Sequence, residues 1–153
     1  MANNRTGIRT NPYMAYNFLV EIEGLITGGF TEVSGLESEI ELESYQEGGA
    51  NGYTHQFPRR IRYSNLVFSC GMTDNDTLWN WYQATTLGKI ELKNGTIMLR
   101  DRQDKIVKHW NFKNAYPVKW IGPQFNATNA GTVALERLEL IHQGINIPAS
   151  KSR

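Results

Sequence analysis

The sequence predicts a mainly β fold, a β-barrel or β-sandwich that carries one α-helix and a long extended hairpin. Three observations favour this class: many short segments alternate apolar and polar residues, turn-forming residues recur between them, and one segment alone has helical spacing. With 153 residues and 40% hydrophobic content, the chain is expected to form one domain with a substantial core.

Strands are predicted where apolar residues recur at every second position, as Phe18, Val20 and Ile22 do in the first such segment. The further predicted strands are 30–33, 37–45, 53–63, 66–70, 97–100, 106–112 with a continuation at 116–120, and 133–142. Pro117 indicates an edge strand or a bulge, because proline cannot donate to a strand ladder. The last strand has apolar residues on both faces, which predicts that both faces are covered, by the helix or by a neighbouring subunit.

The predicted helix follows Thr73. Four residues spaced i, i+3, i+4 and i+7 give it one apolar face: Leu78, Trp81, Tyr82 and Thr85. This face is expected to pack on a sheet or on the end of a barrel. Thr73 is predicted to cap the helix, with Asp74 and Asp76 near the positive end of its dipole, and Gly88 is predicted to end it.

The predicted hairpin is the most informative part of the chain. Every second residue from Glu37 to Glu43 is a glutamate, whereas Ile40 and Leu42 point to the opposite face. A glycine-rich tip at 47–52 separates this arm from the returning arm, which ends at Tyr63. The pattern predicts a long hairpin that is too amphipathic to be a central strand buried on both faces.

The glutamates of this hairpin require water or a cationic partner, because unpaired charge is costly to bury. The returning arm supplies cations at Arg59, Arg60 and Arg62. Three arrangements remain open on the sequence alone: pairing across the hairpin, pairing between subunits, and exposure of the glutamates to an aqueous channel. In each case the hairpin is interpreted as a part that assembles with something else.

Composition and chain ends limit the function classes. A net charge of +1 gives no general electrostatic reason to bind nucleic acid or an acidic membrane. The single cysteine, Cys70, excludes an intramolecular disulfide and is expected to be a buried core residue. No apolar run approaches the ~20 residues of a membrane span, and the first residues do not form a secretory signal. The expected place of synthesis and assembly is therefore the cytoplasm.

The sequence offers little to an enzyme hypothesis. The histidines are too scattered for a metal signature: His55, His109 and His142. Asp74 and Asp76 are explained by the start of the helix, and Ser34 lacks the Gly-x-Ser-x-Gly elbow of hydrolases. The tryptophans are expected to be core residues rather than a sugar-binding face. We therefore predict no catalytic, cofactor-binding or metal-binding residues and no cofactor.

Several segments, taken in order, resemble the phage tail tube protein family, which includes the inner tube proteins of contractile injection systems. The segments are 17–23 (Asn-Phe-Leu-Val-Glu-Ile-Glu), 29–30 (Gly-Phe), 33–37 (Val-Ser-Gly-Leu-Glu), 78–82 (Leu-Trp-Asn-Trp-Tyr), 110–120, which begins with Trp-Asn-Phe-Lys-Asn, and 135–140 (Leu-Glu-Arg-Leu-Glu-Leu), with His142 and Gly144 behind it. They extend over nearly the whole chain, from about Pro12 to Ile145.

The resemblance implies a structural protein, not an enzyme, that forms hexameric rings stacked into a hollow tube inside a contractile sheath. The implied partners are further copies of the chain, the sheath protein, a spike or baseplate adaptor, and cargo in the lumen, either protein effectors or DNA. The subunit itself is expected to bind no membrane. The implied location is the bacterial cytoplasm during assembly, and afterwards an injection particle or phage virion.

The predicted organisation is an N-terminal arm at 1–14, a tail-tube β domain at 15–145 and a C-terminal tail at 146–153. The residues predicted to form the oligomer and stacking interface lie on the hairpin: Glu37, Glu39, Glu41, Glu43, Tyr45, Gly48, Gly49, Asn51, Arg59, Arg60 and Arg62. Alternative functions are a β-sandwich module that binds carbohydrate or peptide, and an enzyme. The sequence does not separate a phage tail from an injection system, or the main tube from a first-ring adaptor.

Overall fold

The computed structural model describes residues 11–25, 29–46, 48–49 and 52–148. Within them the elements are β1 (Phe18–Ile22), β2 (Phe30–Ser34), β3 (Ser38–Tyr45), β4 (His55–Tyr63), β5 (Leu66–Gly71), α1 (Thr77–Thr86), β6 (Lys93–Arg100), β7 (Ile106–Ile121), β8 (Leu135–Ile141) and β9 (Ile145–Asn146). The predicted class, a mainly β protein with one helix and a long hairpin, is confirmed.

The long strand β7 takes part in two antiparallel sheets. Its first half pairs with β6 and β9, and β6 pairs in turn with β1. Its second half pairs with β8, which is followed by β5 and β2. The strand order is therefore β1-β6-β7-β8-β5-β2, with β9 beside β7, whereas β3 and β4 form a separate two-stranded sheet.

β7 spans the predicted strand at 106–112 and its predicted continuation at 116–120. Between these two segments the register with β6 shifts, and Asn114 has a φ of 51°, in the left-handed region that asparagine tolerates better than most residues. The register shifts again between Pro117 and Lys119, so the predicted bulge at Pro117 is confirmed.

Side chains from both sheets form one core: Val20, Ile22, Leu66, Phe68, Trp81, Ile97, Phe112, Ala115, Leu138 and Leu140. The Phe68 and Phe112 rings meet across the two sheets with their centroids 5.9 Å apart. The inward alternation predicted for β1 is confirmed. Ile141 remains 38% exposed on the second face of the last strand, so cover of that face by a neighbouring subunit, one of the two predicted alternatives, stays a prediction.

α1 packs on β7 through the predicted face. Trp81 is buried, and its indole Nε1 donates a hydrogen bond to the Glu91 carbonyl oxygen at 2.9 Å. Trp79 lies beside this face, and its ring centroid is 4.7 Å from that of Trp120. These three tryptophans therefore contribute to packing.

The two ends of α1 differ in how well the sequence predicted them. The predicted cap at Thr73 is wrong: the side chain of Asn75 accepts the Thr77 N–H at 2.9 Å, an Asx-type turn that starts the helix later. The prediction that Gly88 ends the helix is confirmed. Its φ is +85°, its N–H bonds to the Thr85 carbonyl, and the next N–H reaches the Ala84 carbonyl, as in a Schellman motif.

Candidate functional site: an exposed two-stranded hairpin

β3 and β4 form the predicted hairpin, with Glu39 opposite Arg62 and Ile40 opposite Ile61. Between Ile40 and Leu42 the register shifts, because β4 has one more residue than β3 over this stretch. Such a bulge accommodates proline within a ladder, and Pro58 lies directly opposite Leu42. The extra residue brings Glu41 to the basic part of β4.

Glu41 is the centre of the charge pairing on this hairpin. Its carboxylate accepts a hydrogen bond from Arg60 Nε at 2.5 Å and lies 3.4 Å from Arg62 Nε. The hydrogen bond from Arg60 lowers the pKa of Glu41, and it raises the pKa of Arg60. The positive charges of Arg60, Arg62 and Arg59 lower the pKa of Glu41 further. Pairing across the hairpin is therefore confirmed for Glu41.

The other predicted glutamates do not share this arrangement. Glu37 precedes β3 and accepts a hydrogen bond from Ser64 Oγ at 2.8 Å. Glu39 and Glu43 are exposed and lie opposite Arg62 and Phe57 in the ladder, but neither forms an ion pair with a described residue. The structure therefore brings together one glutamate and two arginines of the predicted set.

The tip is described only in part. Gly48 and Gly49 lie in a turn, and the φ of +106° at Gly49 is one that glycine adopts without a steric penalty. The predicted interface residue Asn51 lies outside the described residues. Arg59 is exposed at the bulge of β4, and Tyr45, which is 56% exposed, ends β3 opposite His55.

Three ring-bearing residues near the tip, Tyr53, His55 and Phe57, were absent from the predicted set. The ring centroids of Tyr53 and His55 are 4.9 Å apart, and those of His55 and Phe57 are 6.3 Å apart. Tyr53 is 66% exposed and Phe57 is 54% exposed. The available signal was the alternation of aromatic residues at 53, 55 and 57. Aromatic side chains are enriched in protein interfaces, so this cluster extends the candidate surface.

Neither face of the hairpin is covered within the described chain. One face carries the glutamates and arginines, and the other carries Ile40, Leu42 and Ile61, each more than half exposed. A two-stranded hairpin is only marginally stable in water by itself. Contiguous exposed apolar side chains also indicate an interaction site. The geometry therefore fits a surface that is completed by another molecule.

The rest of the described chain offers little reactive chemistry. Glu136 is buried and accepts hydrogen bonds from Trp120 Nε1 at 3.0 Å and from the Cys70 thiol at 3.5 Å. Burial and the neighbouring Glu136 raise the pKa of the half-buried Cys70 to about 12, so the thiol is a poor nucleophile. His142 contacts the Ser64 carbonyl through Nε2 and accepts the Gly144 N–H. No described helix has the length and apolar character that crossing a membrane requires.

A mainly β chain with one packed helix and an uncovered hairpin is typical of a structural protein that assembles with other molecules through that hairpin. The chain belongs to the T4-like virus tail tube protein gp19 family, whose model matches residues 14–146. The resemblance drawn from the sequence segments is thereby confirmed. No curated protein matches the sequence of this chain.

Solved structures share the fold over nearly the whole chain. A chain of the anti-feeding prophage cap, the tube terminating cap, is 25% identical with a TM-score of 0.84, and the match covers 98% of this chain and 100% of that one. A chain of the PVC sheath–tube complex in the extended state is 24% identical with a TM-score of 0.81, over 97% and 99% of the two chains. Hcp1 from Flavobacterium johnsoniae is 19% identical with a TM-score of 0.58, over 86% and 94%.

Proposed function

We propose that this chain forms hexameric rings that stack into the hollow inner tube of a contractile phage-tail-like injection system. The tube is a conduit for cargo, either protein effectors or DNA. The observation that carries the proposal is the hairpin of β3 and β4, which is exposed on both faces in a chain of the tail tube family.

Ring formation solves two physical problems of the isolated subunit. Unpaired strand edges are templates for association, and β1 and β2 stand at the two ends of the described strand order. A closed ring of identical subunits covers such edges without leaving an open end. A neighbouring subunit also covers the apolar side of the hairpin, formed by Ile40, Leu42 and Ile61.

The proposed partners are further copies of this chain, the surrounding sheath protein and a spike or baseplate adaptor. Similar chains occur in a sheath–tube complex and in a tube terminating cap, which supports these partners. The interface includes the hairpin residues predicted from the sequence, and the arm at 1–14 and the tail at 146–153 flank the tube domain. The subunit acts as a structural part without catalysis, and it assembles in the bacterial cytoplasm before it joins the particle.

Electron microscopy and sedimentation velocity of the purified full chain test this proposal. We expect six-fold rings and stacked tubes with a continuous bore. Ile61→Asp should give folded monomers, because it places a carboxylate on the apolar side of the hairpin. The control Asn80→Asp introduces the same charge on the exposed side of α1 and should leave the rings intact. Monomers of the parent chain at every concentration, above all if they bind glycans, would overturn the proposal.

A further inference from the structure

The first sheet has two distinct ends. At one, which we name the turn end, the β6–β7 turn at 101–105 meets the chain before β1: Asn17 Nδ2 donates to the Asp101 carbonyl at 2.8 Å, and the Arg100 N–H donates to the Asn17 carbonyl at 2.8 Å. At the other, which we name the kink end, β1 finishes at Ile22 and β7 changes direction at Asn114. The register of β1, β6 and β7 shows that the turn end and the kink end lie at opposite ends of the same strands.

The turn end presents unpaired positive charge. Both of its aspartates are engaged within the chain. Asp101 Oδ1 accepts the backbone N–H groups of Gln103 and Lys105 at 2.9 and 3.0 Å, and Asp104 Oδ1 accepts from Asn17 Nδ2, before β1, at 3.1 Å. The side chains of Arg102 and Lys105 are exposed and form no ion pair with a described residue.

Arg100 is a second, independent indication that the turn end has more hydrogen-bond donors than the described chain has acceptors for them. Its Nε is buried and has no hydrogen-bond partner in the described part of the chain, and its Nη1 is 3.9 Å from Asp104 Oδ1, a weak ion pair. Tyr13, Met14 and Tyr16 surround the turn and are 51%, 57% and 69% exposed. Aromatic residues, methionine and arginine are enriched in protein interfaces, so the composition of the turn end is that of an interface.

The kink end presents the opposite charge around a groove of about 860 Å³. Glu21 and Glu23 line this groove with Lys113, and the Lys93 ammonium lies beside Gly24 on its wall, so the excess of negative charge at this end comes from the adjoining surface. Tyr63 separates the groove from a second cleft with three more carboxylates, those of Glu37, Glu39 and Glu139. The one arginine of that cleft is Arg62, which is already directed to Glu41.

We infer that the turn end of one copy docks on the groove at the kink end of the next copy along the tube. The inference rests on the proposed function and deepens it, because it names the two surfaces that stack. Their charges are complementary, which fixes register and rejects the reverse orientation. Because the surfaces are different and lie at opposite ends of the same strands, the contact is head-to-tail and repeats without closing. The contact is therefore expected to weaken as salt rises.

A charge-swap experiment tests the inference. One variant carries Arg102→Glu and Lys105→Glu, another carries Glu21→Lys and Glu23→Lys, and a third carries all four changes. Each double variant should form rings but raise the critical concentration for tubes about tenfold or more, because like charges then face each other across the stack. The fourfold variant should polymerise again, since its two ends are complementary with the signs exchanged. When rings of the two double variants are mixed, they should likewise form tubes in which the two kinds of ring alternate.

Lys89→Glu with Arg137→Glu provides a control of equal charge change at exposed positions that line neither cleft, and it should stack normally, because the surface ion pair of Lys89 with Glu91 contributes little. Ring-to-tube conversion is measured by light scattering and electron microscopy at low and high salt. If the parent chain forms no rings, the proposed function fails. If the parent forms tubes and both double variants stack like the control, or if the fourfold variant stays unstacked, the inference alone is wrong.

Discussion

At the residue scale, Leu138 shows how little freedom the core allows. It is 1% exposed in the middle of β8 and stands opposite Phe68 and Trp120 on the neighbouring strands. Leu138→Asp should prevent folding, because burying an unpaired carboxylate costs several kcal/mol, comparable to the whole stability of a domain. Circular dichroism and thermal melting of the soluble fraction measure the outcome.

The same strand supplies the control. Ile141 faces the other side of β8 and is 38% exposed, so Ile141→Asp should fold, with a loss on the order of 1 kcal/mol. Soluble Leu138→Asp protein that melts cooperatively would show that the described core does not depend on this strand face.

Cys70 gives a pH prediction. Its thiol has an ordinary pKa of 9.0 when exposed and a pKa of about 12 in the folded chain. Between these values the unfolded state loses the proton first, so ionisation favours unfolding and stability falls as pH rises from 9 to 12. Cys70→Ala should lack this part of the decline. Denaturant unfolding of both proteins across this pH range measures the difference, and equal slopes would contradict the assignment.

At the element scale, the sequence predicts what depends on local pattern. The alternation in β1, the hairpin arms, the apolar face of α1 and the glycine that ends it are all found, because each is set by spacing within a few residues. The prediction of a cap at Thr73 was wrong because both Thr73 and Asn75 can accept a backbone N–H before the helix, and Asn75 lies nearer to its first residue, Thr77. The predicted continuation of 106–112 at 116–120 is found as one strand, but the left-handed φ of Asn114 between the two segments was not predicted.

The candidate site was predictable in outline only. The glutamates and arginines are visible in the sequence, but which of them pair depends on the bulge of β4, and a one-residue offset is not encoded in composition. The exposure of Ile40, Leu42 and Ile61 also required the structure, because the same alternation in a covered hairpin would be core.

The hairpin tip yields a prediction about assembly. Deletion of residues 46–53 should leave a folded monomer that cannot form tubes, because the described part of the tip contacts no core residue. Tyr53→Ser in the full-length chain separates the tip from its aromatic cluster: it keeps the loop length and removes the ring that contacts His55. Circular dichroism and sedimentation measure folding and assembly separately. Normal polymerisation of the deletion variant would show that the tip is not required for tube formation.

At the scale of the whole molecule, the net charge of +1 conceals an uneven distribution. Carboxylates collect at the kink end and on β3, whereas Arg100, Arg102 and the exposed Lys105 collect at the turn end. In an assembly this distribution is repeated in every subunit, so a small local imbalance becomes a property of the tube. Whether the hairpin glutamates provide cohesion or a repelling lumen wall is therefore decided by their pairing.

Replacing Glu37, Glu39, Glu41 and Glu43 together by Gln tests this choice. Glutamates that only face a lumen repel one another, so their removal should leave tubes intact or steadier at low salt. We expect weaker assembly instead, because Glu41 holds Arg60 and Arg62 on the hairpin. Tubes of the fourfold variant that match the parent at low salt would reverse this preference.

The single variants locate the effect, and pH provides an independent check. Glu41→Gln alone should reproduce most of the loss, whereas Glu43→Gln, which removes a carboxylate without an ion pair to a described residue, should assemble like the parent. Because the folded pKa of Glu41 is lowered, its contribution is present above the ordinary value of 4.5 and is lost as pH falls through the lowered value. Tube dissociation on acidification should therefore be pronounced in the parent and in Glu43→Gln, and reduced in Glu41→Gln, whose hairpin has no carboxylate at this position left to protonate.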